Sequence, residues 1–200
     1  TFIGSKDAVK ATTYNHQHEQ VIYQHDGQPV LANLVSYVLP GSDGSNEPIR
    51  PTAFIDANTG VVLFEYDNLQ HVAGTGPGGN EKTGQYHFGT DFAALDVTQT
   101  GTECALSNDN VAVIDMAHGT SGGAIHTFTC PENSYKAIKG GYSPLNDALY
   151  FGNVLYNMYN TYVGTAPLSF KLTMRVHYAN NYENAFWDGS SMTFGDGGSN

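Results

Sequence analysis

The first regular feature along the chain is a pair of strand-like runs separated by turn residues. From Gln17 to Leu39, apolar and polar positions mix through Gln20-Val21-Ile22-Tyr23 and resume at Val30, with Asp26-Gly27 between the two runs. Asp-Gly between strand formers predicts a hairpin, because both residues tolerate the backbone angles of a two-residue reversal. Beyond the loop from Pro40 to Pro51, a second hairpin is expected. It pairs Thr52-Ala53-Phe54-Ile55 with Val61-Val62-Leu63-Phe64 across Asp56-Ala57-Asn58-Thr59-Gly60, where Asn and Gly accept positive φ. Ahead of both, Ser5-Lys6-Asp7-Ala8-Val9-Lys10 can end a short helix, so residues 1–71 read as an α+β unit of two hairpins with a short helix.

The pattern breaks over residues 72–84, a stretch too rich in glycine to predict any regular element, and a domain boundary is expected there. Short strands are predicted around Tyr86-His87-Phe88, Val111 to Met116 and Ile125-His126-Thr127-Phe128. The period then changes. Ser143-Pro144 offers an N-cap and a proline at the first helical position, and Ala148, Phe151, Leu155, Met158, Tyr159 and Tyr162 follow at helical spacing until Gly164. After Pro167 the run Leu168 to Tyr178 alternates as a strand, with Phe170, Leu172, Met174 and Val176 on one face. A last strand pair, Asn184 to Trp187 and Ser191 to Phe194, closes on Asp188-Gly189.

Composition narrows the class. With 23 Gly, 13 Tyr and 10 Phe but only 14% charged residues in 200, the chain is turn-rich and aromatic, as suits a secreted protein leaning towards strands. Eight Lys plus Arg against nineteen Asp plus Glu give a net charge of −11, the wrong sign for following a phosphate backbone, so nucleic acid is not an expected partner. No window approaches the roughly 18 uninterrupted apolar residues of a membrane-spanning helix. Cys104 and Cys130 lie 26 positions apart, outside any CxxC pair, and leave two readings open: a disulfide or two buried thiols. A disulfide would stabilise by roughly 3.5 kcal/mol and place the protein in an oxidising compartment.

Eight histidines invite a search for metal chemistry. In His16-Gln17-His18-Glu19, the position four after His18 is Ile22 in a strand-like segment, whereas a helical zinc motif needs two His at i and i+4 on one face. A solvated strand edge is the better reading. No GxSxG elbow supports a serine nucleophile, and Gly119-Thr120-Ser121-Gly122-Gly123 reads as a loop. Gly76-Pro77-Gly78-Gly79 precedes no helix and is not a phosphate loop.

Five motifs then occur in order: Gly76-Pro77-Gly78-Gly79-Asn80, Tyr142-Ser143-Pro144-Leu145-Asn146-Asp147-Ala148, Val176-His177-Tyr178, Glu183-Asn184-Ala185-Phe186-Trp187-Asp188-Gly189 and Met192-Thr193-Phe194-Gly195-Asp196-Gly197. Together they closely resemble the opening of the catalytic domain of thermolysin-like zinc metalloproteases, specifically the vibriolysin and pseudolysin branch, over essentially all of residues 72–200. Cys104 and Cys130 match the first disulfide of that branch. Residues 1–71, with Asp56-Ala57-Asn58-Thr59-Gly60-Val61-Val62, resemble the carboxy-terminal half of the family's PepSY-type propeptide, an intramolecular chaperone and inhibitor.

The resemblance implies a β-rich amino-terminal lobe with one long helix after the propeptide module, and a secreted, extracellular enzyme. It implies a maturation cut between His71 and Val72, on the amino side of a bulky apolar residue, with the glycine stretch letting the new amino terminus move away. Asn184, Ala185 and Phe186 match an edge strand that pairs with extended peptide substrate: Asn184 through its amide, Ala185 through its main chain, Phe186 as an apolar wall. His177 reads as a hydrogen-bonded structural histidine. The HExxH helix, the third zinc ligand, the calcium-binding carboxylates and the general-acid His are expected beyond Asn200. No catalytic residue and no metal ligand is therefore expected in this segment, which should bind neither zinc nor calcium by itself and hydrolyse no peptide alone. Its implied partners are peptide and protein substrates, the propeptide and the remainder of the catalytic domain. A competing reading is a non-catalytic secreted β-rich binding module that stacks exposed tyrosines on carbohydrate.

Overall fold

The computed structural model describes residues 14–38, 50–68 and 70–198. The short helix expected over residues 5–10 lies outside the described residues, as does most of the loop after Pro40. Contacts divide the chain into two compact units, the second beginning at Gln70. Described residues are rich in strand and contain one long helix, an α+β composition.

In the first unit, β1 (Tyr14–His25), β2 (Gln28–Val38), β3 (Pro51–Asp56) and β4 (Val62–Asp67) form an antiparallel sheet in chain order. The chain reverses between β1 and β2 through Asp26 and Gly27, with φ of 49° and 78°. Between β3 and β4, Asp56 Oδ1 accepts the N–H groups of Asn58 and Thr59, both at 2.8 Å. Those bonds, Thr59's first, hold its carboxyl below the usual range. Arg50 is buried in this unit and satisfied there: Nε donates to Ser36 Oγ at 3.1 Å and Nη2 to Gln17 Oε1 at 2.7 Å.

The second unit holds β5 (Gln70–Gly74), β6 (Gly76–Asn80), β7 (Gly84–Phe88), β8 (Leu95–Thr100), β9 (Glu103–Ala105), β10 (Val111–Asp115), β11 (Ala124–Ile125), β12 (Thr127–Thr129), α1 (Pro144–Tyr162), β13 (Leu172–Val176), β14 (Ala185–Trp187) and β15 (Ser191–Phe194). One sheet runs β12-β9-β8-β5, a second runs β11-β10-β13-β15-β14, and β6 pairs with β7 as a hairpin. In the second sheet β10, β13 and β15 are parallel, and β14 turns back against β15. Helix α1 covers β10, β13, β6 and β8, closing a core that includes Phe88, Leu95, Val97, Val113, Leu145 and Leu149. Cys104 of β9 and Cys130, just past β12, form a disulfide with an S–S distance of 2.03 Å.

Residues 72–84 depart from the sequence expectation, since they form the end of β5 and all of β6 rather than an irregular linker. Glycine is required here by close packing. A Cβ on Gly78 would lie 2.4 Å from both Asp147 Oδ1 and Tyr86 Cε2, and one on Gly76 would lie 2.2 Å from the Asn133 carbonyl oxygen.

Helix α1 begins where Ser143-Pro144 predicts, but Ser143 does not cap it: its hydroxyl donates to the Tyr135 carbonyl at 2.7 Å. Its buried face also differs from the predicted stripe. Leu145, Ala148, Leu149 and Gly152 face the core, while Phe151, Leu155, Met158, Tyr159 and Tyr162 stay exposed, Tyr162 to 84%. On that face the sheet approaches closely at Gly152, where a Cβ would lie 2.8 Å from Met174 Sδ. Two strands are shorter than their patterns. Of Leu168 to Tyr178 only Leu172–Val176 pairs, and Ile125 to Phe128 splits at His126 between β11 and β12, which belong to different sheets.

Candidate substrate-binding edge and its support

Among the described residues strand β14 is the last in its sheet and pairs on one side only, with β15, in the register Ala185 to Phe194, Phe186 to Thr193 and Trp187 to Met192. The tight turn after it is built by Asp188. Its Oδ1 accepts the N–H of Ser190 at 2.8 Å and of Ser191 at 2.7 Å, and Oδ2 accepts the Ser191 hydroxyl at 2.7 Å. The Ser191 hydroxyl foremost, then these amides, hold the Asp188 carboxyl far below the usual range.

Hydrogen bonds on either side of β14 fix which backbone groups face outward. The Asn184 carbonyl accepts the Gly195 N–H at 3.1 Å, and the Asp188 N–H donates to the Ser191 carbonyl at 3.2 Å. The alternation of an antiparallel ladder then makes Phe186 and Thr193 the hydrogen-bonded pair and turns the main-chain groups of Ala185 and Trp187 to the open edge. Asn184 Oδ1 accepts the Ala185 N–H at 2.8 Å, so that donor is engaged and the carbonyl is the remaining outward main-chain group of Ala185. A trough of about 630 Å³ lies along Glu183, Asn184 and Ala185, with Phe194 to Gly198 as its other wall.

Phe186 does not line that trough. Its ring packs edge-on against Tyr178 and Tyr182, with centroids 5.4 and 6.1 Å away. Trp187 is 45% exposed and stacks on Phe170. Thus Asn184 and Ala185 both line the trough, and Phe186 belongs to a separate aromatic cluster.

His71 and Val72 lie in a different sheet. Both are inside β5, an edge strand antiparallel to β8, with His71 opposite Thr98 and Val72 opposite Val97. The His71 ring lies between two carboxylates, with Nδ1 3.3 Å from Asp96 Oδ1 and Nε2 3.5 Å from Asp109 Oδ1.

A buried polar cluster beside β14 is illegible in the sequence, because its members are far apart along the chain. His177, 1% exposed, meets Asp196 Oδ1 through Nδ1 at 2.7 Å. His118 Nδ1 lies 3.5 Å from the other oxygen of Asp196 and 3.1 Å from the Ala179 carbonyl. Only the Val176-His177-Tyr178 and Gly195-Asp196-Gly197 motifs hinted at it. A second network anchors α1: Asp147 accepts the Tyr86 hydroxyl at 2.9 Å and the Gly79 N–H at 3.1 Å. Burial raises the Asp147 carboxyl, and burial followed by the neighbouring Asp147 carboxylate raises the Tyr86 hydroxyl. His126 is lowered, chiefly by burial.

Among the described residues no group of three or more His, Cys, Asp and Glu side chains could hold a metal ion. His16, His18 and Glu19 lie on β1, with Ile22 70% exposed. No described helix is long and apolar enough to cross a membrane.

An exposed edge strand beside a trough, on a sheet backed by one long helix, is the kind of surface that captures extended peptide. Comparison with known proteins gives the class. Residues 81–200 match the catalytic domain of thermolysin metallopeptidases, and the chain belongs to that family. It is 50% identical over 191 residues to a virulence metalloprotease of Vibrio anguillarum, covering 92% of this chain and 31% of that protein. To a neutral protease of Vibrio proteolyticus it is 48% identical over 199 residues, 96% of this chain and 32% of the relative. A hemagglutinin/proteinase of Vibrio cholerae is 43% identical over 203 residues, 97% and 33%. The chain thus spans about a third of the length of these curated relatives.

Proposed function

We propose that this chain is part of the precursor of a secreted zinc metalloendopeptidase, with residues 1–71 the carboxy-terminal part of a propeptide and residues 72–200 the amino-terminal part of the catalytic domain. In this reading the complete, matured enzyme cleaves peptide bonds on the amino side of bulky apolar residues, and the propeptide assists folding and inhibits. In this reading zinc and calcium are bound in the complete enzyme; among the described residues no group of three or more His, Cys, Asp and Glu side chains could hold a metal ion. This chain's own part in the reaction is to hold and orient the substrate.

The observation that carries the reading is the outer edge of β14, unpaired among the described residues. An extended peptide laid beside it would bond to the Ala185 carbonyl and the outward main-chain groups of Trp187, with the Asn184 amide close by and the Phe186, Tyr178 and Tyr182 rings packed together to stiffen the strand. Affinity from main-chain bonds is tolerant of sequence, which suits a peptidase that selects at one side-chain pocket.

The test uses the full-length protein. Peptidase activity should vanish with a zinc chelator and return with added zinc, and the matured protein should begin Val72-Ala73-Gly74-Thr75. A full-length protein that cleaves no peptide would overturn the enzymatic reading, and a mature amino terminus elsewhere would overturn the assignment of His71 and Val72.

A further inference from the structure

Strand β14 is three residues long and paired on one side, so something other than its own ladder must fix its position. The loop leading into it from β13 is held in an unusual shape. His177, Ala179 and Asn181 all take left-handed backbone angles, with φ of 59°, 53° and 54°, and across from them Ala117 and His118 do the same, at 46° and 65°. Non-glycine residues adopt this region only where their surroundings over-determine it.

Those surroundings converge on one carboxylate. Asp196 has a side chain only 4% exposed, accepts from His177 on one oxygen and faces His118 with the other. The two left-handed segments are also stitched directly, since the His118 N–H donates to the His177 carbonyl at 2.8 Å and the Ala179 N–H to the Gly119 carbonyl at 3.1 Å. His177 Nε2 and Asp196 Oδ2 are buried and hydrogen-bond to nothing among the described residues.

Asp196 connects to the edge by one residue. Its neighbour Gly195 gives its N–H to the Asn184 carbonyl, and a Cβ on Gly195 would lie 2.1 Å from the Tyr182 carbonyl oxygen. Gly197 gives its N–H to Tyr182 at 2.9 Å. Any shift of Asp196 is therefore transmitted to both ends of the 182–184 segment. We propose that Asp196, held between His177 and His118, is a positioning residue that sets the placement of Asn184 and Ala185 and thereby the strength with which extended substrate is held. The proposal rests on the reading of β14 as the substrate-binding edge.

The test compares Asp196→Asn, His118→Gln and Asn184→Ala in the full-length enzyme, on a short blocked substrate and on a series lengthened along the edge. Asp196→Asn should raise KM for the longest substrate about tenfold with kcat within about twofold, and the short substrate should respond far less. His118→Gln, at a partly exposed position, should show the same pattern more weakly, and it carries the test if Asp196→Asn fails to accumulate. Equal losses on short and long substrates, a fall in kcat at constant KM, or unchanged kinetics in His118→Gln and Asp196→Asn would overturn the proposal. Asn184→Ala separates the two readings: if it leaves the dependence on substrate length intact, the edge is not where substrate binds. If it abolishes that dependence while Asp196→Asn does not alter it, only the positioning role falls.

Discussion

Replacing Gly78 with alanine tests whether β6 is glycine-rich because of what it packs against. The added carbon would lie 2.4 Å from Asp147 Oδ1 and Tyr86 Cε2, and 2.6 Å from Phe88 Cε2. None of the three can step aside easily. Phe88 is fully buried and edge-on to Tyr86, Tyr86 is tied by its hydroxyl to Asp147, and Asp147 sits in the first turn of α1 holding the Gly79 N–H. Overpacking costs about 1–3 kcal/mol, and a lost hydrogen bond to the carboxylate adds about 1.5–3 kcal/mol. A combined loss of roughly 3–5 kcal/mol corresponds to a Tm lower by about 8–15 °C for a chain of this size. The control is Gly84→Ala, where nothing lies within 4 Å of the new carbon and only the φ of +90° is violated, at about 1–2 kcal/mol. Thermal unfolding followed by far-UV and near-UV circular dichroism measures both. A Gly78→Ala protein that melts no lower than Gly84→Ala would refute the reasoning.

Removing the disulfide by Cys104→Ser with Cys130→Ser should cost roughly 3.5 kcal/mol, read as a shift in urea midpoint that a reductant reproduces in the parent protein. Asp188 has a folded pKa below its unfolded one, so its contribution is present above the ordinary carboxylate range and lost as pH falls through the folded value. The stability gap between the parent and Asp188→Ala should accordingly be widest near neutral pH and narrow progressively as pH falls below the ordinary carboxylate range; a gap of constant size from neutral pH into strong acid contradicts this. Asp147 has the opposite sign. Its stabilisation is full below the unfolded pKa and fades as pH rises through the raised folded value, so Asp147→Asn should flatten that decline in pH-dependent melting. Under the propeptide reading, added polypeptide of residues 1–71 should inhibit the matured enzyme in a titration, and unchanged turnover counts against it.

What was legible in the sequence was whatever local chemistry decides. Ser143-Pro144 marked the start of α1, and Asp188-Gly189 marked the reversal between β14 and β15. The five ordered motifs led to the family. What escaped was decided by neighbours distant along the chain. Glycines in β6 read as slack because nothing local reveals that Asp147, Asn133 and two aromatic rings fill the space where side chains would go. The large apolar residues from Phe151 to Tyr162 read as the core face of α1, yet the sheet packs on the face of Leu145, Leu149 and Gly152. Asn184 and Ala185 were legible as a strand edge, whereas the carboxylate beside them was not, since His118, His177 and Asp196 come from three separate loops.

The ladder between β5 and β8 bears on how an amino terminus created at Val72 would behave. Val72, Ala73 and Gly74 are each in register with a residue of β8, and Val72 also packs against the core. Scission there would yield a docked end, anchored from its first residue, instead of the wandering tail that a run of glycines suggests. Trimming enzymes that nibble from free ends would find no slack to grip, and the severed terminus would count as part of the folded body.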